Sequence, residues 1–238
     1  MELTLKCMNM QNTIMTNIET EFYNANDAFE YFYNKISKHG TVFADTRALF
    51  NVGFTMHKPD FNTIHNTKRN WNLAYAKAEW EWYLSRDPHV EKLGKIYGKI
   101  PPIWERMANE KGLVNSNYGF QWGRRPKPGL KSQLEYAIDL LKKHKHTRQA
   151  CVSIYDGKEH DRYKYDTPCT YAVQFTNVEN RLNMCVTMRS NDLWYGFCND
   201  QYQFSKLLEL VCKETGLDMG TYYHFAHNLH IYTNKLGL

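Results

Sequence analysis

Met188-Arg189-Ser190-Asn191-Asp192-Leu193-Trp194-Tyr195-Gly196-Phe197-Cys198-Asn199-Asp200 joins a strand-like run to a helix-like one. Before it, Cys169 to Thr176 and Arg181 to Met188 read as strands, and Asn177 to Asn180 between them predicts a hairpin turn. After it, Phe204, Leu207, Leu208 and Val211 recur at helical spacing within a helix expected over 201–215, closed by Gly216. A polar segment in that position is where a site would sit. Arg189 offers a fixed cationic fork and Ser190 a hydroxyl, which together suit a phosphate dianion. The same residues equally suit a solvated strand end followed by a helix cap.

Upstream, Asn26 can cap a helix over 26–39 in which Phe29, Tyr33 and Ile36 share a face, with Gly40 as its stop. Leu49 to Met56 looks like a strand. Residues 67–85 carry almost no breakers and include Trp71, Tyr75, Ala78, Trp82 and Leu84, so a long, mostly buried helix is expected around Glu79. Pro101-Pro102 opens a short helix through Trp104 to Glu110, ended by Gly112. Leu134, Ala137, Ile138 and Leu141 form one face of a helix that runs into the basic stretch Lys142 to His146. Gln149 to Tyr155 and Tyr222 to Tyr232 supply further strands. The expectation is an α+β fold, helices first and a largely sequential sheet later, forming one domain over 1–238 with 1–40 as a divergent N-terminal segment.

A chain of 238 residues with 42% hydrophobic and 15% aromatic residues can build a core without disulfide staples, which excludes disorder and low-complexity architectures. No apolar run approaches the roughly 18 residues needed to cross a bilayer. Met1 to Asn17 is broken by Glu2, Lys6, Asn9, Gln11 and Asn12 and lacks the apolar core of a secretory signal, so a cytoplasmic protein without membrane contact is expected. Cysteines at 7, 151, 169, 185, 198 and 212 form no Cys-x-x-Cys pair and should be reduced. The formal charge of +5 favours an anionic partner, whether a phosphorylated metabolite or nucleic acid. The basic run from 142 to 148 and the many aromatics suit single strands, but those aromatics lie mainly in expected core elements, which argues against nucleic acid as the principal partner.

Cys169, after Asp166-Thr167-Pro168, is either an inert core thiol or a nucleophile activated by a nearby guanidinium. Order along the chain adds what single motifs lack. Ala78-Glu79-Trp80-Glu81-Trp82-Tyr83-Leu84, Ile103-Trp104, Asn117-Tyr118-Gly119-Phe120-Gln121-Trp122, Thr147-Arg148, Pro168-Cys169, Arg189-Ser190-Asn191-Asp192, Gly196 and Leu229-His230-Ile231-Tyr232 together resemble the thymidylate synthase family, from about residue 43 to the end. Where synthases carry Asn and Cys-His, this chain has Asp200 and Cys169-Thr170, which resembles the deoxycytidylate hydroxymethylases of bacteriophages.

That resemblance implies a homodimer acting on a pyrimidine nucleotide monophosphate, with 5,10-methylenetetrahydrofolate as co-substrate and no metal. Cys169 would attack C6, Glu79 would manage proton transfers, and Asp200 would accept from cytosine's amine beside a protonated N3. Glu79 has a blander reading as a surface or ion-paired residue. Arg189 and Ser190 would hold the phosphate, Arg148 would reach the neighbouring subunit's site, and Tyr118, His230 and Tyr232 would contact the nucleotide. Trp104, Asp192 and Gly196 match folate-contacting positions, although Trp104 also suits ordinary packing. Arg148-Gln149 stands where most members have two arginines, and Arg47 is the nearest match to an early phosphate-binding arginine. Only Thr233 to Leu238 follow Tyr232, where the family's tail closes over the reactants. A shorter lid implies hydration of the intermediate in place of hydride transfer. Substrates dUMP and CMP remain open.

Overall fold

The structure is a computed structural model that describes residues 18–237. The expectations for Met1 to Asn17 and for Cys7 lie outside those residues. Eight strands form one mixed sheet in the order β1-β3-β8-β6-β5-β4, with β2 on β3 and β7 on β8. They are β1 (Ile18–Phe22), β2 (Thr41–Phe43), β3 (Thr46–Met56), β4 (Cys151–Ser153), β5 (Thr170–Val178), β6 (Arg181–Met188), β7 (Asn191–Asp192) and β8 (Asp218–Tyr232). The helices are α1 (Ala25–His39), α2 (Leu73–Ser85), α3 (Val90–Tyr97), α4 (Pro102–Met107), α5 (Tyr118–Gly123), α6 (Gln133–Lys143) and α7 (Cys198–Thr215).

The α+β class holds, but the sheet is not sequential. The last strand, β8, lies between β3 and β6, antiparallel to the first and parallel to the second. The β5–β6 hairpin turns at Glu179 and Asn180, both at positive φ (51° and 65°), as a two-residue turn of that twist requires. Helix α2 begins at Leu73, six residues later than expected, because Asn72 accepts from the Tyr75 amide and Asn70 has φ 46°. Helix α1 is capped by Asn24, whose side chain accepts from Asp27, while Asn26 turns to the His65 amide. Strands β3 and β8 start earlier than expected, β4 is shorter, and α4 ends at Met107.

Phe29, Phe32, Val52, Phe54, Val173, Phe175, Val186 and Tyr222 are buried in one cluster between the sheet and α1, α6 and α7. Asn183, Cys185, Thr187, Tyr223 and Phe225, on the opposite face, are only half-buried in the single chain. A second layer, α2 to α5, stands against α7 through Trp82, Tyr83, Trp104, Tyr118 and Trp122. Trp82 is fully buried, donates to the His89 carbonyl at 3.1 Å and meets Trp104 edge-on at 5.4 Å. Trp82→Ala is therefore expected to lower the unfolding free energy by about 3–5 kcal/mol, measured by urea titration.

Candidate active site

Strand register builds the site. In the antiparallel β5–β6 pair, Thr170 faces Met188, so Cys169 falls opposite Arg189, whose amide donates to the Cys169 carbonyl at 2.8 Å. The guanidinium folds back across the same loop. Arg189 Nη2 donates to the Thr167 carbonyl (2.7 Å) and lies 3.6 Å from Cys169 Sγ, while Nε donates to the Pro168 carbonyl (3.0 Å). That loop is pinned from its far side, because buried Asp166 accepts from the Ser116 amide and hydroxyl. Two residues beyond Ser116, Tyr118 opens α5, stacks on Phe204 at 5.6 Å and sits where the charges of Asp200 and Cys169 both act on it.

The expected guanidinium is present, yet it does not win. Burial pushes the Cys169 thiol up to about 11 against the opposing pull of Arg189, so the resting sulfur is a neutral thiol. Among the described residues, the other cysteines are also free thiols.

Beyond Ser190 the chain pairs briefly with β8, Asn191 to Leu229 and Asp192 to His230, and then turns through a wide helical turn at Leu193–Phe197 into α7. Asp192 Oδ1 caps that turn by accepting from the Trp194 and Tyr195 amides at 2.8 and 3.1 Å. Asp200 stands in the first turn of α7 and accepts a 2.7 Å bond from Asn191 Nδ2 through Oδ2. It keeps some accessible surface although protein surrounds it. Burial pushes its carboxyl up to about 8, and the charges of Glu79 and Asp192 add to the effect.

Helix α2 supplies the second carboxyl. Glu79 is buried, not surface-paired: Tyr75 donates to Oε1 at 2.6 Å and Gln203 to Oε2 at 2.9 Å. Burial lifts it to about 7 despite these two donors. Trp104 Nε1 in turn donates to the Tyr75 hydroxyl at 2.7 Å. The result is a continuous line from Trp104 through Tyr75, Glu79 and Gln203 to the helix that carries Asp200. Two carboxyls raised to about 7 and about 8, the charge of Glu79 acting on Asp200, stand with a thiol in a constellation suited to covalent and acid–base chemistry on a neutral ring.

The fold brings Cys169, Arg189, Tyr118, Glu79, Asp192, Gly196 and Asp200 together, and Tyr232 is close enough to feel the charges of Asp192 and Cys169. His230 stacks edge-on with Tyr232 at 5.7 Å and bonds through Nδ1 to Asn228. Two residues stand apart. Arg47 spends its guanidinium on the Gly40 and Ser37 carbonyls that close α1, at 3.2 and 2.8 Å. Arg148 is exposed before β4, and its described contact is a carbonyl accepting from Gln174. A cleft of about 930 Å³ between Arg124, Tyr136 and Asp156 is lined by none of these site residues.

A family model described as thymidylate synthase matches residues 28–238. The chain belongs to the thymidylate synthase family. It is similar to the thymidylate synthase of Bacillus atrophaeus, 28% identical over 172 residues, which is 71% of this chain and 74% of the relative. The similarity to the synthase of Bacillus phage phi3T is 27% over 169 residues, 70% of this chain and 59% of that protein. For the synthase of Fusobacterium nucleatum it is 31% over 153 residues, 64% and 54%. The chain thus spans between about half and three quarters of these relatives' lengths.

Membership of the family implies a folate co-substrate, and the polar groups around Asp192 leave room for one. Asp192 has Oδ2 outside its two capping bonds and Gly196 adds no side chain beside it, while Trp104 is largely buried with its indole N–H on Tyr75 and its ring edge-on to Trp82. Among the described residues, no three His, Cys, Asp or Glu gather as a metal site, and no helix is long and apolar enough to cross a membrane. Tyr75, Gln203 and Asn191 are members of the site that sequence reasoning missed. The first two stand at helical spacing from Glu79 and Asp200, four residues before and three after, which is the signal that finds them.

Proposed function

We propose that this chain hydroxymethylates dCMP, joining a one-carbon unit from 5,10-methylenetetrahydrofolate to C5 and adding water to it. The observation that carries this reading is Asp200, a carboxyl raised to about 8 at the position from which the family reads the base edge. Below that pH it arrives with a proton. Cytosine N3 can take that proton and the exocyclic amine can donate to the remaining oxygen, whereas uracil N3 already carries hydrogen.

The residues then divide the work. Arg189, with Ser190, holds the 5′-phosphate, and Arg148 reaches the site of the other subunit across the half-covered sheet face. Arg47 keeps its structural bonds. Tyr118, His230 and Tyr232 border the nucleotide, and Trp104, Asp192 and Gly196 the folate, which when bound supplies the one-carbon unit. Cys169 Sγ bonds to C6 as its proton passes to water, and C5 becomes the carbon nucleophile. The N3 proton from Asp200 makes C6 a better electrophile. Once C5 has bonded to the one-carbon unit, Glu79 in its ionised form removes the C5 proton, whose electron pair makes the exocyclic methylene as the tetrahydrofolate amine departs, with Tyr75 and Gln203 fixing both carboxyl oxygens. Water then forms the C–O bond at the C5 methylene and loses a proton, and Cys169 departs from C6 as the ring double bond returns.

The test is chromatography and mass analysis of the nucleotide product from dCMP, dUMP and CMP with the folate. Dominant 5-hydroxymethyl-dCMP supports the proposal, and dTMP from dUMP as the dominant product contradicts it.

Two groups with opposite requirements predict a bell-shaped pH profile for kcat/KM on dCMP. The rising limb belongs to ionisation of Glu79 near 7 and the falling limb to loss of the Asp200 proton near 8, as apparent constants of the coupled pair. Glu79→Gln is expected to lower kcat about 10²–10³-fold and to erase the rising limb, with nucleotide binding nearly unchanged. A retained limb would assign it elsewhere.

A further inference from the structure

Asn191 follows the Arg189-Ser190 pair just past the end of β6. In the folded chain it is 2% exposed, held by β7 against Leu229, and its Nδ2 donates to Asp200 Oδ2 at 2.7 Å. Among the described residues that is the hydrogen bond Asp200 receives, and Asn191 Oδ1 is buried without a partner. Gly196 lies against both groups. A Cβ there would come within 3.3 Å of Asp200 Oδ2 and 3.6 Å of Asn191 Nδ2, so the pair is seated in a space that the absence of a side chain provides.

We infer that Asn191 is a specificity-positioning residue: its amide donor favours the form of Asp200 whose proton has passed to the base. The inference rests on the dCMP reading above. A donor held to Oδ2 bonds more strongly to a carboxylate than to a neutral acid. With cytosine bound, N3 accepts the proton, Asp200 becomes anionic and the bond from Asn191 becomes charge-assisted. With uracil bound, N3 cannot accept, Asp200 stays neutral, and the bond gains nothing. Asn191 therefore adds to the discrimination without touching the substrate, and Gly196 keeps the geometry free of steric pressure.

The experiment compares the parent protein with Asn191→Leu, near in volume but without a donor, and with Gly196→Ala. Two quantities are read: the titration of Asp200 by NMR of the substrate-free protein labelled at aspartate carboxyl carbons, and kcat/KM for dCMP and dUMP. The expected result for Asn191→Leu is a raised Asp200 titration midpoint and a 10–100-fold loss on dCMP, while any residual use of dUMP is unchanged. Gly196→Ala, which also borders the folate, is read by the NMR midpoint alone and shifts it in the same direction by less. A merely structural role would lower both substrates together, and an unmoved or lowered midpoint overturns the inference. If the parent itself fails to prefer dCMP, the dCMP reading fails, and the NMR arm still reports on the Asn191 bond.

Discussion

Asp200→Asn is expected to change the ratio of kcat/KM for dCMP over dUMP by about 10³–10⁴-fold in favour of dUMP. The amide can offer its oxygen to uracil N3–H and its NH₂ to O4 once Asn191 turns over its own amide, whose Oδ1 is buried without a partner. It has no proton to pass to cytosine N3, so dCMP binds an edge that no longer activates C6. The falling limb near pH 8 should disappear from the residual activity.

The same substitution has a sign-defined effect on stability. The folded carboxyl titrates near 8 and the unfolded one near 4, so the folded state retains a proton that the unfolded state releases between those values. The associated stability is complete below about 4 and is lost as pH rises through 8. An amide has no such dependence. Calorimetry should therefore give Asp200→Asn a melting temperature above the parent's by roughly 5 °C at pH 9, with the gap closing as pH falls. A gap that widens toward acid would mean that Asp200 is ionised in the resting protein.

Cys169→Ser is the second large effect: a loss of at least about 10⁴ in kcat with dCMP affinity within a few-fold of the parent. A hydroxyl in a site that already pushes a thiol up to about 11 has no means of reaching the anionic form. Because Arg189 makes two backbone bonds independent of the sulfur, the loop should keep its shape. Equilibrium binding of dCMP by calorimetry separates this outcome from unfolding, and a variant retaining a tenth of the activity would remove Cys169 from covalent chemistry.

Much of this was legible because it rests on local rules. The β5–β6 hairpin and α7 follow from periodicity and one turn, whereas Cys169 falls opposite Arg189 only because the register shifts between Thr170 and Ala172. The placement of β8 between β3 and β6 was not legible, since nothing local records which strand a terminal segment joins. Strand β1, α3 and α5 escaped for a related reason: they are short, and α5 begins at a motif whose Asn117 cap was read as part of a sequence signature alone. Within the site, residue types foretold the carboxyls and the thiol but not the ionisation of Asp200 and Cys169. Proximity of a guanidinium suggested a lowered thiol pKa, and burial reversed it; that balance depends on how much protein surrounds the sulfur. Arg47 looked available as a basic residue near the start of a strand, and only the fold revealed that the C-terminus of α1 claims it.

The most direct measurement is a crystal structure of the protein with 5-fluoro-dCMP and the folate, since fluorine at C5 cannot leave as a proton does and should hold the reaction at the covalent stage. The account predicts continuous density from Cys169 Sγ to C6, with Asp200 within hydrogen-bond distance of both N3 and the exocyclic amine of the same ring. A nucleotide bound with its base edge turned away from Asp200, or with C6 out of reach of the sulfur, would contradict it.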